Sequence, residues 1–204
     1  MHEEILGVES KAALDGLGRA GFIKDFYLAG GTGLALFFGH RKSYDLDFFT
    51  PKKFNERILT DRLLKLGGFS LNKKEWGTVH GIFRDTKVSF LHYPYPLLFK
   101  PHRFRGVRIA DQRDIGCMKL DAIATRSSKK DFIDLHFLLE EVSLSRLLWL
   151  FSKKYGKLKI NMVHVLKSLV YFVDARKDAP PIMLKPFLWE ALEQKLEREV
   201  RNLL

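Results

Sequence analysis

Two short segments carry residue types from which a reaction could be built: Ala29-Gly30-Gly31-Thr32 and Ser43-Tyr44-Asp45-Leu46-Asp47-Phe48. Adjacent glycines after an apolar strand let the backbone approach an anion closely. A helix starting there aims unpaired N–H groups and its positive dipole end at that anion. Together these features make a phosphate cradle. Asp45 and Asp47 alternate along one strand, so both carboxylates share a face, as hard oxygen ligands able to hold Mg²⁺ against a triphosphate. Either piece alone is common, Gly-Gly as a turn and Asp-x-Asp as a solvated pair. The order of strand, Gly-Gly-Thr, helix, basic loop and Asp-x-Asp strand is much harder to produce by accident. Arg41, Lys42 and Ser43 in the loop are candidates for the same anion.

These residues need elements to position them. Residues 10–20 read as a helix opened by a Ser10 cap, and 26–29 as a short apolar strand ending at Gly30-Gly31. A helix with Leu34, Phe37 and Phe38 on its face should follow and end near Gly39. The loop His40 to Ser43 then leads into an alternating strand over 44–48. Residues 54–66 have helical spacing, and 69–76, 79–84 and 87–93 read as antiparallel strands with tight turns between them. From Asp111 the periodicity is helical, over 111–126, 129–141, 144–155, 161–175 and 187–204. The last of these sets Trp189, Leu192, Leu196, Val200 and Leu203 on one packing stripe. The expectation is an α+β protein. Residues 1–110 would form an α/β core, a mixed or antiparallel sheet with flanking helices, and 111–204 a helical subdomain completing a cleft.

Composition bounds the function. The chain has 204 residues, 46% of them hydrophobic and 17 of them Phe, which excludes a disordered or low-complexity protein. It shows no run of the roughly 18 apolar residues that a spanning helix needs, and its acidic N-terminus is unlike a targeting peptide; a cytoplasmic protein with no membrane partner is expected. A single cysteine, Cys117, fits a reducing compartment. The net charge of +11 biases the partner towards phosphate-rich molecules. Between Thr86 and Ala110 no acidic residue occurs. Lys87, Lys100, Arg103, Arg105 and Arg108 alternate there with Phe90, Tyr93, Tyr95, Phe99 and Phe104, a pattern suited to phosphate contacts with stacking platforms on RNA. Lys153, Lys154, Lys157 and Lys159 form a second basic cluster. Gly16-Leu17-Gly18-Arg19-Ala20-Gly21 spells a dinucleotide fingerprint but follows a helical pattern, so it fails its context. No Walker A, zinc-protease or nucleophile-elbow motif is present.

Gly30-Gly31-Thr32-Gly33-Leu34-Ala35-Leu36, Gly39-His40-Arg41-Lys42-Ser43 and Asp45-Leu46-Asp47-Phe48-Phe49 together resemble the first motif of the DNA polymerase beta-like nucleotidyltransferases. The branch they look like is the abortive-infection toxin type, AbiEii/AbiGii. Lys119-Leu120-Asp121-Ala122-Ile123-Ala124 with Arg126 and Lys130-Asp131-Phe132-Ile133-Asp134-Leu135 is similar to that branch's helical motif. The resemblance implies a minimal nucleotidyltransferase fold. It also implies transfer of a nucleotidyl group from an NTP, with Mg²⁺ or Mn²⁺, to an acceptor hydroxyl on RNA, particularly tRNA, and a cognate antitoxin. Gly30, Gly31 and Thr32 would then take the triphosphate, Asp45 and Asp47 the metal, and Lys119 a phosphate as a point charge. Asp131 would act near the site or stabilise a helix start, and Asp134 would pair with Lys130. The superfamily's usual third carboxylate is replaced by Ser89, which by alternation should face the Asp pair, the acceptor's proton leaving through water. The Ser89 departure keeps open a silent nucleotide- or RNA-binding protein. A small-molecule acceptor such as an aminoglycoside is the other alternative.

Overall fold

The computed structural model describes residues 1–156 and 161–203. Helix α1 (Val8–Gly18) and a 3-10 turn lead into β1 (Tyr27–Leu28), and α2 (Gly30–Phe38) follows after a single residue. Gly39 ends α2 in the left-handed conformation, φ 62°, where a side chain would be strained. Ser10 does not cap α1. Gly7 occupies the cap, and the Ser10 hydroxyl, inside the first turns, donates to the Tyr44 carbonyl at 3.2 Å.

β2 (Leu46–Thr50) begins one residue after Asp45, so Asp47 is in the strand and Asp45 in the loop at its mouth. α3 (Glu56–Lys65) is capped by the Asn55 side chain, which accepts from the Ile58 N–H at 3.0 Å. β3 (Phe69–Glu75), β4 (Thr78–Phe83) and β5 (Thr86–His92) form the expected meander. Positive φ at Arg84 (49°) and Asp85 (60°) marks the two-residue turn before β5 as the primed type that matches strand twist. Residues 102–109, left without elements in the sequence reading, make a further hairpin of β6 (His102–Phe104) and β7 (Val107–Ile109). Three-residue strands are too short for alternation to show.

The seven strands form one mixed sheet in the order β3-β4-β5-β2-β1-β7-β6. β2 pairs with β5 in parallel, Asp47 opposite Ser89 and Phe48 opposite Phe90, and with β1 antiparallel. Leu46, Phe48, Val88 and Phe90 are all buried in a core shared with Leu14 and Leu17 of α1 and Leu59 and Leu63 of α3. The period of two therefore turns Asp47 and Ser89 to the opposite face, towards the helices that follow.

Those helices are α4 (Gln112–Arg126), α5 (Lys129–Leu138), α6 (Leu144–Tyr155), α7 (Met162–Ser168), α8 (Val173–Lys177) and α9 (Trp189–Arg201). The helix expected over 161–175 is two. The chain leaves helical geometry before Phe172, whose buried ring packs on Phe132 and Trp189. On α9, Leu192, Leu196 and Val200 are buried as the stripe predicts, but Leu203 lies past the helix end and is exposed; residue 204 of the expected helix lies outside the described residues. A second core joins these helices to α2 through Leu34, Ile115, Leu120 and Leu138. No helix among the described residues is long and apolar enough to cross a membrane.

Candidate active site

A cleft of about 690 Å³ opens between the helix-facing side of the sheet and helices α2 and α4. Asp45, Asp47, Gly30, Gly31, Lys119 and Ser89 line it together, so segments separated by up to 89 positions in the chain meet at one place.

The start of α2 forms one wall. The Ala29 N–H donates to the Asp47 carbonyl at 3.0 Å, fixing strand β2 against the turn. Gly30 has φ +65°, and a Cβ there would approach Asp47 Oδ2 to 3.2 Å. At Gly31 a Cβ would strike the Arg41 guanidinium at 2.3 Å. The two glycines thus admit, respectively, a left-handed turn and a cation packed under the helix start. No side chain caps α2. The N–H groups of Gly30, Gly31 and Thr32 precede the first intrahelical donor, Gly33, and remain as an anion site. The Thr32 hydroxyl is not spare for a ligand in the way expected: it is buried and bonded to Ser43 Oγ (2.7 Å) and to the Asp45 carbonyl. Thr32 and Ser43 therefore brace the loop that presents Asp45.

Asp45 is exposed, while Asp47 is half-buried beside it. Burial pushes the Asp47 carboxyl up, the neighbouring Ser89 hydroxyl pulls it back, and the nearby Asp45 charge pushes it up again. Neither carboxylate has a salt-bridge partner among the described residues. Two acidic groups crowded at a cleft, in no ion pair among the described residues and presenting only oxygen, fit a divalent cation completed by substrate phosphates and water. No cluster of three or more His, Cys, Asp or Glu suited to a metal occurs among the described residues, so the chain supplies this pair and no all-protein cage.

Behind the anion site lies a buried ionic cluster. Lys119 Nζ sits 2.7 Å from Asp131 Oδ1 and 2.5 Å from Asp134 Oδ2. Arg126 bonds Asp131 through Nε (2.7 Å) and Nη2 (3.0 Å), and Arg41 bonds Asp134 bidentately at 2.7 and 2.9 Å. His40 Nε2 adds 2.8 Å to the same Asp134. Burial would raise Asp134, but Lys119 and Arg41 overcome it and hold its carboxyl far below the usual range; Asp131 is lowered likewise by Lys119 and Arg126. Burial lowers His40, which leaves it neutral. Three cations against two carboxylates leave one net positive charge under the phosphate cradle. Asp134 does not pair with Lys130 as expected. Asp131 and Asp134, three apart on α5, both turn inward to the cations of α4 and the loop, and Lys130 instead lines the cleft. Arg41 and Lys119 are both almost wholly buried, so either could reach a ligand in the cleft chiefly through this charge. The Lys42 ammonium bonds the Glu4 carbonyl at 2.6 Å.

The basic-aromatic stretch divides. Lys100 and Arg103 are exposed at the β6 edge. Arg105, by contrast, is spoken for: in the β6–β7 turn it grips both oxygens of Asp15 (2.8 Å each) and Glu3 (2.8 Å). Arg108 donates to the Lys24 carbonyl at 3.0 Å. The aromatics are not free stacking platforms. Phe90 is core, Tyr93 and Tyr95 pack against Tyr155, and Phe99 carries the Arg113 guanidinium 3.6 Å above its ring. In the second cluster Lys154 is buried against Asp114 at 2.8 Å, and Lys157 and Lys159 lie outside the described residues. The sequence reading missed His80, on β4 and lining the cleft 3.0 Å from Ser89 Oγ; its strand position opposite Ser89 was the available signal.

Known proteins share this chain's sequence pattern and fold. Residues 12–98 match the family described as nucleotidyl transferase AbiEii toxin, type IV TA system. An uncharacterized protein of Aquifex aeolicus is 39% identical over 202 residues, covering 96% of each chain. The crystal structure of a putative nucleotidyltransferase from H. pylori superposes with a TM-score of 0.56 at 25% identity, covering 98% of this chain and 92% of that one. MenT4, a nucleotidyltransferase toxin of Mycobacterium tuberculosis, shares the fold at 16% identity, with a TM-score of 0.51 over 93% of this chain and 81% of its own. With the glycine turn and the paired aspartates inside the matched residues, this chain belongs to the AbiEii nucleotidyltransferase family.

Proposed function

We propose that this nucleotidyltransferase moves a nucleotidyl group from an NTP to a hydroxyl of RNA, with tRNA the preferred class, in a reaction dependent on Mg²⁺ or Mn²⁺, and that it serves as a toxin restrained by a cognate antitoxin. The observation that carries this reading is the pair Asp45 and Asp47 beside the uncapped start of α2. The N–H groups of Gly30, Gly31 and Thr32 would bind triphosphate oxygens, with the Lys119, Arg126 and Arg41 cluster supplying net positive charge behind them. Asp45 and Asp47 would hold the divalent cation, whose chemistry is to neutralise charge on the reacting phosphates. Positioning and charge neutralisation are the main demands of such a transfer. Lys100 and Arg103, with the overall charge of +11, suit an RNA acceptor.

Incubation with each labelled NTP, Mg²⁺ and total RNA tests the reading, label on tRNA being the expected result. Ser89 in place of a carboxylate favours a second reading, a silent nucleotide binder. Mg²⁺-dependent NTP binding without label transfer to any RNA or small acceptor would establish it.

A further inference from the structure

Strand register sets four polar residues in one row across the sheet. Asp47 on β2 stands opposite Ser89 on β5, Ser89 opposite His80 on β4, and His80 opposite Lys73 on β3. The row leads from the metal-binding pair out along an open face. Ser89 stands beside Asp47 in the parallel pair, and His80 Nδ1 lies 3.0 Å from Ser89 Oγ. In the tautomer with its proton on Nδ1 the imidazole donates to Ser89 Oγ, and the Ser89 hydroxyl is free to turn its own proton to the Asp47 carboxylate opposite, which can only accept. Neutral imidazole with its proton on Nδ1 carries a bare lone pair on Nε2. That nitrogen has no hydrogen-bond partner among the described residues, and His80 is half-buried in the wall of the cleft.

We propose that His80 Nε2 accepts the proton of the attacking hydroxyl, taking the place of the third carboxylate that Ser89 lacks. Neighbouring strands are about 4.8 Å apart and β4 lies two strands from β2, but the His80 ring contacts Ser89 on the strand between, which brings it towards an acceptor held at the carboxylates. In the step, a lone pair of the acceptor oxygen forms the bond to the α-phosphorus. The bond from that phosphorus to the bridging oxygen breaks, and pyrophosphate leaves with the electron pair. The hydroxyl proton moves to Nε2, and the imidazolium later gives it to water. The serine that costs the site a carboxylate thereby holds the ring of its replacement in place. Charged groups on the same face as His80 are Lys73 and Glu75 of β3, Lys87 of β5 and Asp47 of β2. Across the cleft stand Asp121 and Arg126 of α4 and Lys130 of α5.

This inference rests on nucleotidyl transfer itself, and the test separates the two. His80→Gln keeps a donor for Ser89 and removes the base. The expected result is a fall in kcat of ~10²- to 10⁴-fold, an NTP KM and Mg²⁺-dependent thermal shift close to wild type, and loss of the rise of kcat/KM with pH through the neutral range. Adding Ser89→Asp to His80→Gln should recover at least ~10-fold, within the contribution of one general base. If His80→Gln does not fold, His80→Asn is read in the same way. Wild-type kcat in the variant, or a lower kcat with the pH profile unchanged, would overturn the role of His80 alone. A wild-type protein that transfers to no acceptor would overturn the transfer reading together with it.

Discussion

Asp47 shows how one side chain trades stability for chemistry. Burial and Asp45 raise its carboxyl, so the folded protein binds a proton there more readily than the unfolded chain. The ionised form at neutral pH is therefore a destabilising one, relieved as pH falls through the raised value. Asp47→Asn is expected to lose at least ~10³-fold in transfer, about 4 kcal/mol of barrier, while its melting temperature at pH 7 rises. Wild-type transfer in this variant would remove the metal role, and a lower melting temperature would contradict the burial argument. Much of this residue-level picture was legible, because Gly30, Gly31, Asp45 and Asp47 lie within 18 positions and their types declare an anion and a cation site. His80 and Asp134 were not. Asp134 is partnered with Arg41, 93 positions away, by tertiary packing and not by local spacing, whereas His80 faces Ser89 across a hairpin whose register was readable but whose place beside the cleft was not.

The ionic cluster couples elements rather than residues, joining the loop after α2 to α4 and α5. Asp134→Ala would leave Arg41 and Lys119 buried with one carboxylate between them, and a loss of about 3–5 kcal/mol is expected from denaturant unfolding. A loss below about 1 kcal/mol would show that water already reaches the cluster. The pH dependence has the sign opposite to that of Asp47. Asp131 and Asp134 titrate below their unfolded value near ~3.9, so their stabilisation is complete above that pH and is lost as pH falls beneath it. Acid unfolding monitored by circular dichroism should thus set in below about pH 4, and later in Asp134→Asn relative to its own neutral stability. At this scale most helices and the meander were readable from period and turn residues. The β6–β7 hairpin and the break before Phe172 were not, the first for shortness and the second because burial of one ring decides it.

For the whole molecule, the charge of +11 predicts RNA affinity that falls steeply with salt. Neutralising Lys100 and Arg103 together should flatten the log–log slope by about 2, as titration of RNA at several salt concentrations would show. Arg105→Ala should leave the slope almost unchanged and lower the melting temperature instead, since that guanidinium joins α1 and the N-terminal turn to the β6–β7 hairpin. Equal slope changes at Arg105 and Arg103 would contradict its internal pairing. The same logic of pairing extends to the segment that leaves β5. Asp114 of α4 accepts from the N–H groups of Leu98 (3.0 and 3.1 Å) and Phe99 (3.0 Å), and Lys154 of α6 joins Asp114 to the Pro96 carbonyl at 2.7 Å. Lys119 rides on that same helix five residues further along. The segment between β5 and β6 is therefore a measured length, and one residue inserted or deleted within 94–100 would break the bonds of Leu98 and Phe99 to Asp114 and loosen α4 from the sheet. At Gly67, where a Cβ would meet nothing within 4 Å, added residues disturb no such gauge. Insertions and deletions separating this chain from its relatives are expected to gather at the end of α3 and to spare 94–100.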